Sequence, residues 1–220
     1  MSQRKISLAV GEYYHVYNRG NSKQKIYTNE LEYKRFLSLL YIANGTNHFE
    51  VGRMKTEDML EFERGEPLVA VGLYCLMPNH FHIVLKPLVE RGIQQYMQKL
   101  STAYSMYFNK RNHRTGSLFE GKFKARHIDS DEYLKYLYAY IHLNPLKLID
   151  STWRVEGIKD PSAAYEYVAS YPYSSLQDYL GIVRKECVVL DPKYFPDYFT
   201  SPVNIKTELF EWLEFAPKIL

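Results

Sequence analysis

Met77-Pro78-Asn79-His80-Phe81-His82-Ile83-Val84-Leu85-Lys86-Pro87 is the stretch on which the fold turns. Its second half is β-branched and aliphatic and prolines stand near both ends, so it reads as a short strand. Side chains alternate faces along a strand, so His80 and His82 share one face and Phe81 enters a core on the other. At a rise of about 3.3 Å per residue, two imidazoles about 7 Å apart can grip one divalent ion. A His-x-His pair is also compatible with an ordinary polar strand face, and the surrounding chain must decide between the two readings.

Upstream, Leu68–Leu76 is a nearly continuous apolar run, expected of a central strand covered on both faces and joined to the histidine strand as a hairpin. Glu12–Arg19 alternates, is rich in aromatics and ends at Gly20, which predicts the first strand. Asn29 with Glu32 three residues on predicts a capped helix whose apolar face holds Phe36, Leu37, Leu39 and Leu40. A second helix fits Gly92–Lys110, a last strand Lys122–Ile128, and a third helix, capped by Ser130 or Asp131, runs Asp131–Leu143 before Pro145. Within the polar stretch 47–65, Thr56–Leu60 reads as a helical turn. The order strand, helix, strand, strand, helix, strand, helix, with the helices on one side, predicts an α+β fold around a ferredoxin-like antiparallel sheet. Residues 1–150 form the expected catalytic domain, and 151–220 a mostly helical C-terminal extension packed on the core.

The 220-residue chain can bury a substantial core, and a net charge of +3 permits a nucleic-acid partner without demanding one. Two distant cysteines, Cys75 and Cys187, offer no zinc cluster and suit a reducing compartment. No long apolar run marks a membrane span, and the expected location is cytoplasmic. The 21 tyrosines are an excess that suits a surface on which unpaired bases stack. With so many, a catalytic tyrosine must be argued from its position.

Along the third helix Tyr133, Tyr136 and Tyr140 fall on one stripe, the pattern of a seam turned to the core. Tyr140 and Asn144 are four apart, so a phenol and an amide are presented together where the helix stops. Were that end to face His80 and His82, Asn144 could complete the ligand set and Tyr140 attack whatever the ion polarises. His142, two residues from Tyr140, does not share its face and is a weak candidate for taking its proton. Lys99, Lys110, Arg111 and Arg114 gather along and after the second helix, as a solvated face or as phosphate contacts. Between Arg114 and Arg126, basic residues alternate with Phe119 and Phe123, a mixture that suits backbone and bases alike.

Three segments in order carry a resemblance. Pro78-Asn79-His80-Phe81-His82 resembles the His-hydrophobic-His motif of the single-tyrosine, IS200-like transposases. Tyr140-Ile141-His142-Leu143-Asn144-Pro145 resembles the signature of their REP-associated branch, and Gly116–Lys124 resembles the stretch between. His15–Gly20 resembles the opening strand, and Tyr171–Ser175 a segment beyond the core in which tryptophan usually stands at the position of Tyr171. The resemblance implies a metal-dependent enzyme that cleaves and rejoins single-stranded, hairpin-associated DNA through a 5′-phosphotyrosine intermediate. It implies Tyr140 as nucleophile, and His80, His82 and Asn144 as ligands of Mg²⁺ or Mn²⁺. Arg19, Arg114, Lys122, Lys124 and Arg126 are the candidate DNA contacts, and a monomer is favoured over a homodimer. The rival function is a domesticated protein that binds hairpin DNA without cleaving it. A TIM-barrel amidohydrolase would need a longer chain and further His and Asp ligands.

Overall fold

Strand alternation splits every strand between two faces, and the protein packs helices on both. The computed structural model describes residues 8–197 and 201–214. Strands β1 (Tyr13–Arg19), β2 (Val69–Met77), β3 (His80–Pro87) and β4 (Lys124–Ile128) form one antiparallel sheet in the order β2-β3-β1-β4. This is the expected ferredoxin-like arrangement. Helices α1 (Glu30–Ile42), α2 (Gly92–Arg111) and α3 (Asp131–His142) stand where the sequence predicts them, α1 directly after its cap and α2 and α3 within one residue of their expected bounds. The start of α1 is fixed as its sequence demands, with Asn29 accepting from the Glu32 amide at 3.2 Å. Ser130 does the same for Tyr133 at the start of α3.

Tyr14, Val16, Phe81, Ile83 and Leu85 point to one face and pack with Phe36 and Leu40 of α1 and Tyr96, Leu100 and Tyr104 of α2. Leu73, Cys75, Met77, Val84 and Ile128 point to the other and pack with Leu134, Leu137, Tyr138 and Ile141 of α3. The expectation of helices on one side is therefore corrected. β2 and the aliphatic half of β3 are apolar on both faces, so both faces must be covered to keep that surface from water. A bulge between Val71 and Leu73 sets which β2 residues reach which face. The bulged residue is Gly72, and any Cβ there would come within 2.6 Å of the Phe195 ring.

β2 is also not central: it is an edge strand, though every residue of it is buried. Its free edge is covered by the segment Tyr173–Ser175. The Leu76 amide donates to the Tyr173 carbonyl at 2.9 Å, and the Ser175 amide to the Tyr74 carbonyl at 3.0 Å. Tyr171 adds a hydroxyl bond to the Leu76 carbonyl at 2.8 Å. An unpaired edge invites strand addition from other chains, and this covering removes that hazard. The chain past Leu148 runs through α4 (Trp153–Glu156), α5 (Pro161–Ser170), α6 (Leu176–Tyr179) and α7 (Pro202–Glu214). Trp153, Val168, Leu176, Leu209 and Leu213 join the apolar cluster of α3. No described helix is long and apolar enough to cross a membrane.

Candidate active site

On β3 the alternation that buries Phe81 turns His80 and His82 to the α3 face, their ring centroids 5.0 Å apart and nearly perpendicular. Register then decides what stands beside them. Arg19 pairs with His80 and Tyr17 with His82, while Tyr17 also pairs with Lys124 and His15 with Arg126. Opposed residues share a face, so this side of the sheet gathers His15, Tyr17, Arg19, His80, His82, Lys124 and Arg126.

Hydrogen bonds fix both imidazoles. The Asn79 Oδ1 lies 2.6 Å from His80 Nδ1. An amide oxygen only accepts, so Nδ1 carries the proton and the Nε2 lone pair is left for a ligand. His82 Nδ1 lies 2.8 Å from His15 Nε2, and the two rings stack with centroids 5.0 Å apart. In the tautomer in which His82 Nδ1 donates to His15, the His82 Nε2 lone pair is left for a ligand. Burial, then the charges of Lys147 and Arg19, lower His80 to about 4. Burial lowers His82 well below the ordinary range, with His15, His80, Lys147 and Arg154 adding to it. His15 falls to about 4, through burial first and Arg126 second. All three rings are neutral at pH 7, the state a metal ligand requires.

Helix α3 brings Tyr140 to this place. Its ring meets His82 edge-on with centroids 5.8 Å apart, so residues 58 positions apart in sequence become neighbours within one chain. The stripe Tyr133, Tyr136, Tyr140 is not the core seam expected. Leu134, Leu137, Tyr138 and Ile141 fill the core, and the three tyrosines stay half-buried along the neighbouring edge of the helix. Tyr136 lies between the other two, with centroids 6.0 Å from Tyr133 and 5.5 Å from Tyr140.

Asn144 follows directly, opening a 3-10 turn over Asn144–Leu148. It is fully buried, yet neither its Oδ1 nor its Nδ2 has a hydrogen-bond partner. Buried amides left wholly unsatisfied are rare, and this one keeps an oxygen lone pair available to a partner. Among the described residues no three His, Cys, Asp or Glu side chains cluster to hold a metal. The oxygen and nitrogen donors on this face, the unsatisfied Asn144 amide and the two neutral imidazoles, are of types that suit a divalent ion.

His142 has no place in the site. It is fully buried on the opposite side of the α3 stripe, with Nε2 2.9 Å from Ser175 Oγ, and burial lowers it to about 3. Arg19 lies on the site face, but its guanidinium is bound to both oxygens of Glu120 at 2.8 and 3.0 Å. Lys122 is exposed just before β4, and Lys124 and Arg126 are exposed on it, with Arg126 4.5 Å over the Tyr133 ring. Arg114 stands elsewhere, after α2 and over Phe108, in the layer on the other face. Lys99, on α2, donates to the Gly45 carbonyl.

Sequence reasoning missed His15, Lys147 and Arg154. Arg154, on α4, lies with its guanidinium carbon 4.1 Å from the Tyr140 ring centroid and donates to the Tyr140 carbonyl at 3.4 Å. Lys147 follows Asn144 by three residues, and its charge bears on both His80 and His82. His15 could have been found from alternation with Tyr17 once the register of β1 on β3 was known. Nothing local in the sequence ties Lys147 or Arg154 to Tyr140.

Residues 66–144 match the family model described as Transposase IS200 like, so the resemblance to these transposases is shown over the segment from β2 to the turn after α3. Among solved structures the chain is similar to a REP-associated tyrosine transposase bound to a REP hairpin. The two share 13% identity and a TM-score of 0.53, over 84% of this chain and 90% of that one, which is a likeness of fold. No curated protein matches the chain.

Proposed function

We propose that the chain is a transposase-like enzyme that cuts and rejoins single-stranded DNA next to a hairpin, with Tyr140 as nucleophile. The observation that carries this reading is the edge-on contact of Tyr140 with His82 at 5.8 Å, at the helix end where Asn144 keeps an unsatisfied amide. The similar solved structure holds a REP hairpin, which supports the choice of substrate class.

In this reading the Tyr140 oxygen attacks the phosphorus of a phosphodiester. The Tyr140 O–P bond forms as the bond to the 3′ oxygen breaks; the phenolic proton goes to solvent, and the departing oxygen takes up a proton as a 3′-hydroxyl. The product is a 5′-phosphotyrosine, and attack by a 3′-hydroxyl reverses the step and rejoins strands. His80, His82 and Asn144 would hold Mg²⁺ or Mn²⁺, which supplies charge to polarise the scissile phosphate. His15 holds His82 in orientation through the Nδ1 contact, as partners of metal-binding histidines generally do. Lys124 and Arg126, on the site face, and Lys122 beside them would track the DNA backbone. Arg19 would have to exchange Glu120 for phosphate, and Arg114 lies away from this path. Both motifs meet within one chain, which supports a monomer.

The test is a denaturing gel of labelled hairpin-bearing single strands incubated with Mg²⁺ or Mn²⁺. Wild-type protein is expected to form a covalent adduct, and Tyr140→Phe, His80→Ala and His82→Ala to form none. An adduct that survives Tyr140→Phe would move the nucleophile to another tyrosine. Tight hairpin binding without any adduct would instead make this a binding protein.

A further inference from the structure

Resting on that reading, we propose that Lys147 and Arg154 form the phosphate clamp of the site, gripping the non-bridging oxygens of the phosphodiester that Tyr140 attacks. Both residues lie beyond the 66–144 segment that the family model covers, and Arg154 belongs to a helix of the C-terminal extension.

Arg154 rests on the Tyr140 ring at 4.1 Å, a cation–π distance. A guanidinium has five N–H donors in a plane, and among the described residues only one bond is made, to the Tyr140 carbonyl. The remaining edge is free to meet a planar or tetrahedral anion in bidentate fashion. Lys147 is exposed on the turn after α3, close enough for its charge to bear on Arg154 and Tyr140 as well as on both histidines. Arg154 therefore stands on the phenol ring itself, and the charge of Lys147 reaches the same ring from the turn after α3.

No carboxylate neutralises them. Arg19, Arg53, Arg64 and Arg184 each face one, whereas among the described residues neither Lys147 nor Arg154 does. The carboxylates nearest in sequence are already engaged: Asp150 accepts from the Thr152 amide and hydroxyl, and Glu156 from the same hydroxyl. The rings that Arg154 meets are those of Tyr140 at 4.1 Å and Trp153 at 5.2 Å. Like charges set together without a counter-ion repel, and an anion at the phenol relieves that repulsion. The chemistry needs a negative phosphate at this place, whose charge shifts as the tyrosine bond forms. Fixed donors aimed at that charge act most strongly where water is partly excluded.

Two measurements test the clamp, on the full chain with a hairpin-bearing single strand. The first is the single-turnover rate of adduct formation at saturating DNA with Mn²⁺. Arg154→Ala is expected to lower it about 10²- to 10³-fold, the usual loss on removing one donor to a reacting oxyanion, with partial rescue by free guanidinium ion. Arg154→Lys and Lys147→Gln are expected to fall between that and wild type. A merely structural role would not give rescue, and thermal unfolding of each variant checks the fold. The second measurement is the dependence of DNA affinity on salt, which requires no cleavage. Loss of one phosphate contact lowers the slope of log K against log salt by about 0.7 for single strands. Wild-type adduct with an unchanged rate and slope in Arg154→Ala overturns the clamp. A slope lowered in the variants when wild type makes no adduct keeps the clamp and sinks the nucleophile. An unchanged slope with no wild-type adduct sinks both.

Discussion

Phe81 and His82 are consecutive residues of one strand, and the regions they point into differ in almost every respect. Phe81 enters a layer closed by α1 and α2, where its ring is fully buried and packs at centroid distances of 5.2 Å from Phe36 and 6.0 Å from Phe119. His82 enters a layer that α3 closes only in part. Its apolar residues seal β2, Val84 of β3 and Ile128 at the end of β4, while histidines, lysines, arginines and half-buried tyrosines gather over β1, the His80–His82 end of β3 and Lys124–Arg126. One face of the sheet sustains the fold; the other gives part of its area to an unsatisfied amide and to cations with no carboxylate partner among the described residues. The difference shows how a sheet accommodates a site: polar groups concentrate on one half of one face, and the opposite face stays dry.

The largest effect that would sharpen this contrast is on the closed face. Phe81→Ala leaves a cavity among Phe36, Phe119 and their neighbours and is expected to cost about 3–5 kcal/mol in unfolding free energy. Chemical denaturation measures it. Lys124→Ala on the open half is expected to stay within about 0.5 kcal/mol of wild type in the same experiment. If the two variants unfolded alike, the division of labour between the faces would be wrong.

A smaller effect probes the open half from within. His15→Phe keeps a flat ring against Tyr17 and His82 but removes the nitrogen 2.8 Å from His82 Nδ1. If His15 orients a ligand, Mn²⁺ affinity should drop about 10- to 100-fold, the usual result of losing such a partner. Calorimetric titration of Mn²⁺ reads it directly, and His15→Gln, which retains a polar group, should recover part of the loss. Unchanged affinity in His15→Phe would reduce the His15–His82 contact to packing.

The closed face was largely legible in the sequence and the open one only in part, for a physical reason. Helix caps, aliphatic runs and prolines act through neighbours in sequence, so Asn29, Ser130 and Pro145 marked their elements, and Phe81 was assigned to a core by alternation alone. The site depends on distances set by register and by packing of remote elements. His80, His82, Tyr140 and Asn144 stood out because their motifs are compact. His15 did not, because its meaning depends on how β1 pairs with β3. Arg154 reaches Tyr140 only because α4 turns back after the 3-10 turn, and no periodicity predicts that. Two of the architectural errors have the same origin. Calling β2 central followed from its apolar run, but the run reflects an edge covered by Tyr173–Ser175, a contact across about a hundred residues. The tyrosine stripe of α3 has helical spacing that suits a core, yet Leu134, Leu137 and Ile141 beside it are the better hydrophobes and took that position.

The smallest effect concerns how far the open half extends. Lys124 and Arg126 lie two residues apart on an edge strand, opposite Tyr17 and His15, so a DNA backbone leaving Tyr140 across the sheet would pass both. Neither has a carboxylate within ion-pair distance among the described residues, whereas Arg19 on the next strand is held by Glu120. Each of Lys124→Ser and Arg126→Ser should therefore weaken hairpin-strand binding uniformly across sequences and lower the salt slope by about 0.7–0.9. Glu120→Gln, which frees Arg19, should tighten binding slightly and steepen the slope. Were Lys124→Ser and Arg126→Ser to leave the slope unchanged, the polar half of this face would end at the histidines, and β4 would be an edge kept soluble by its charges.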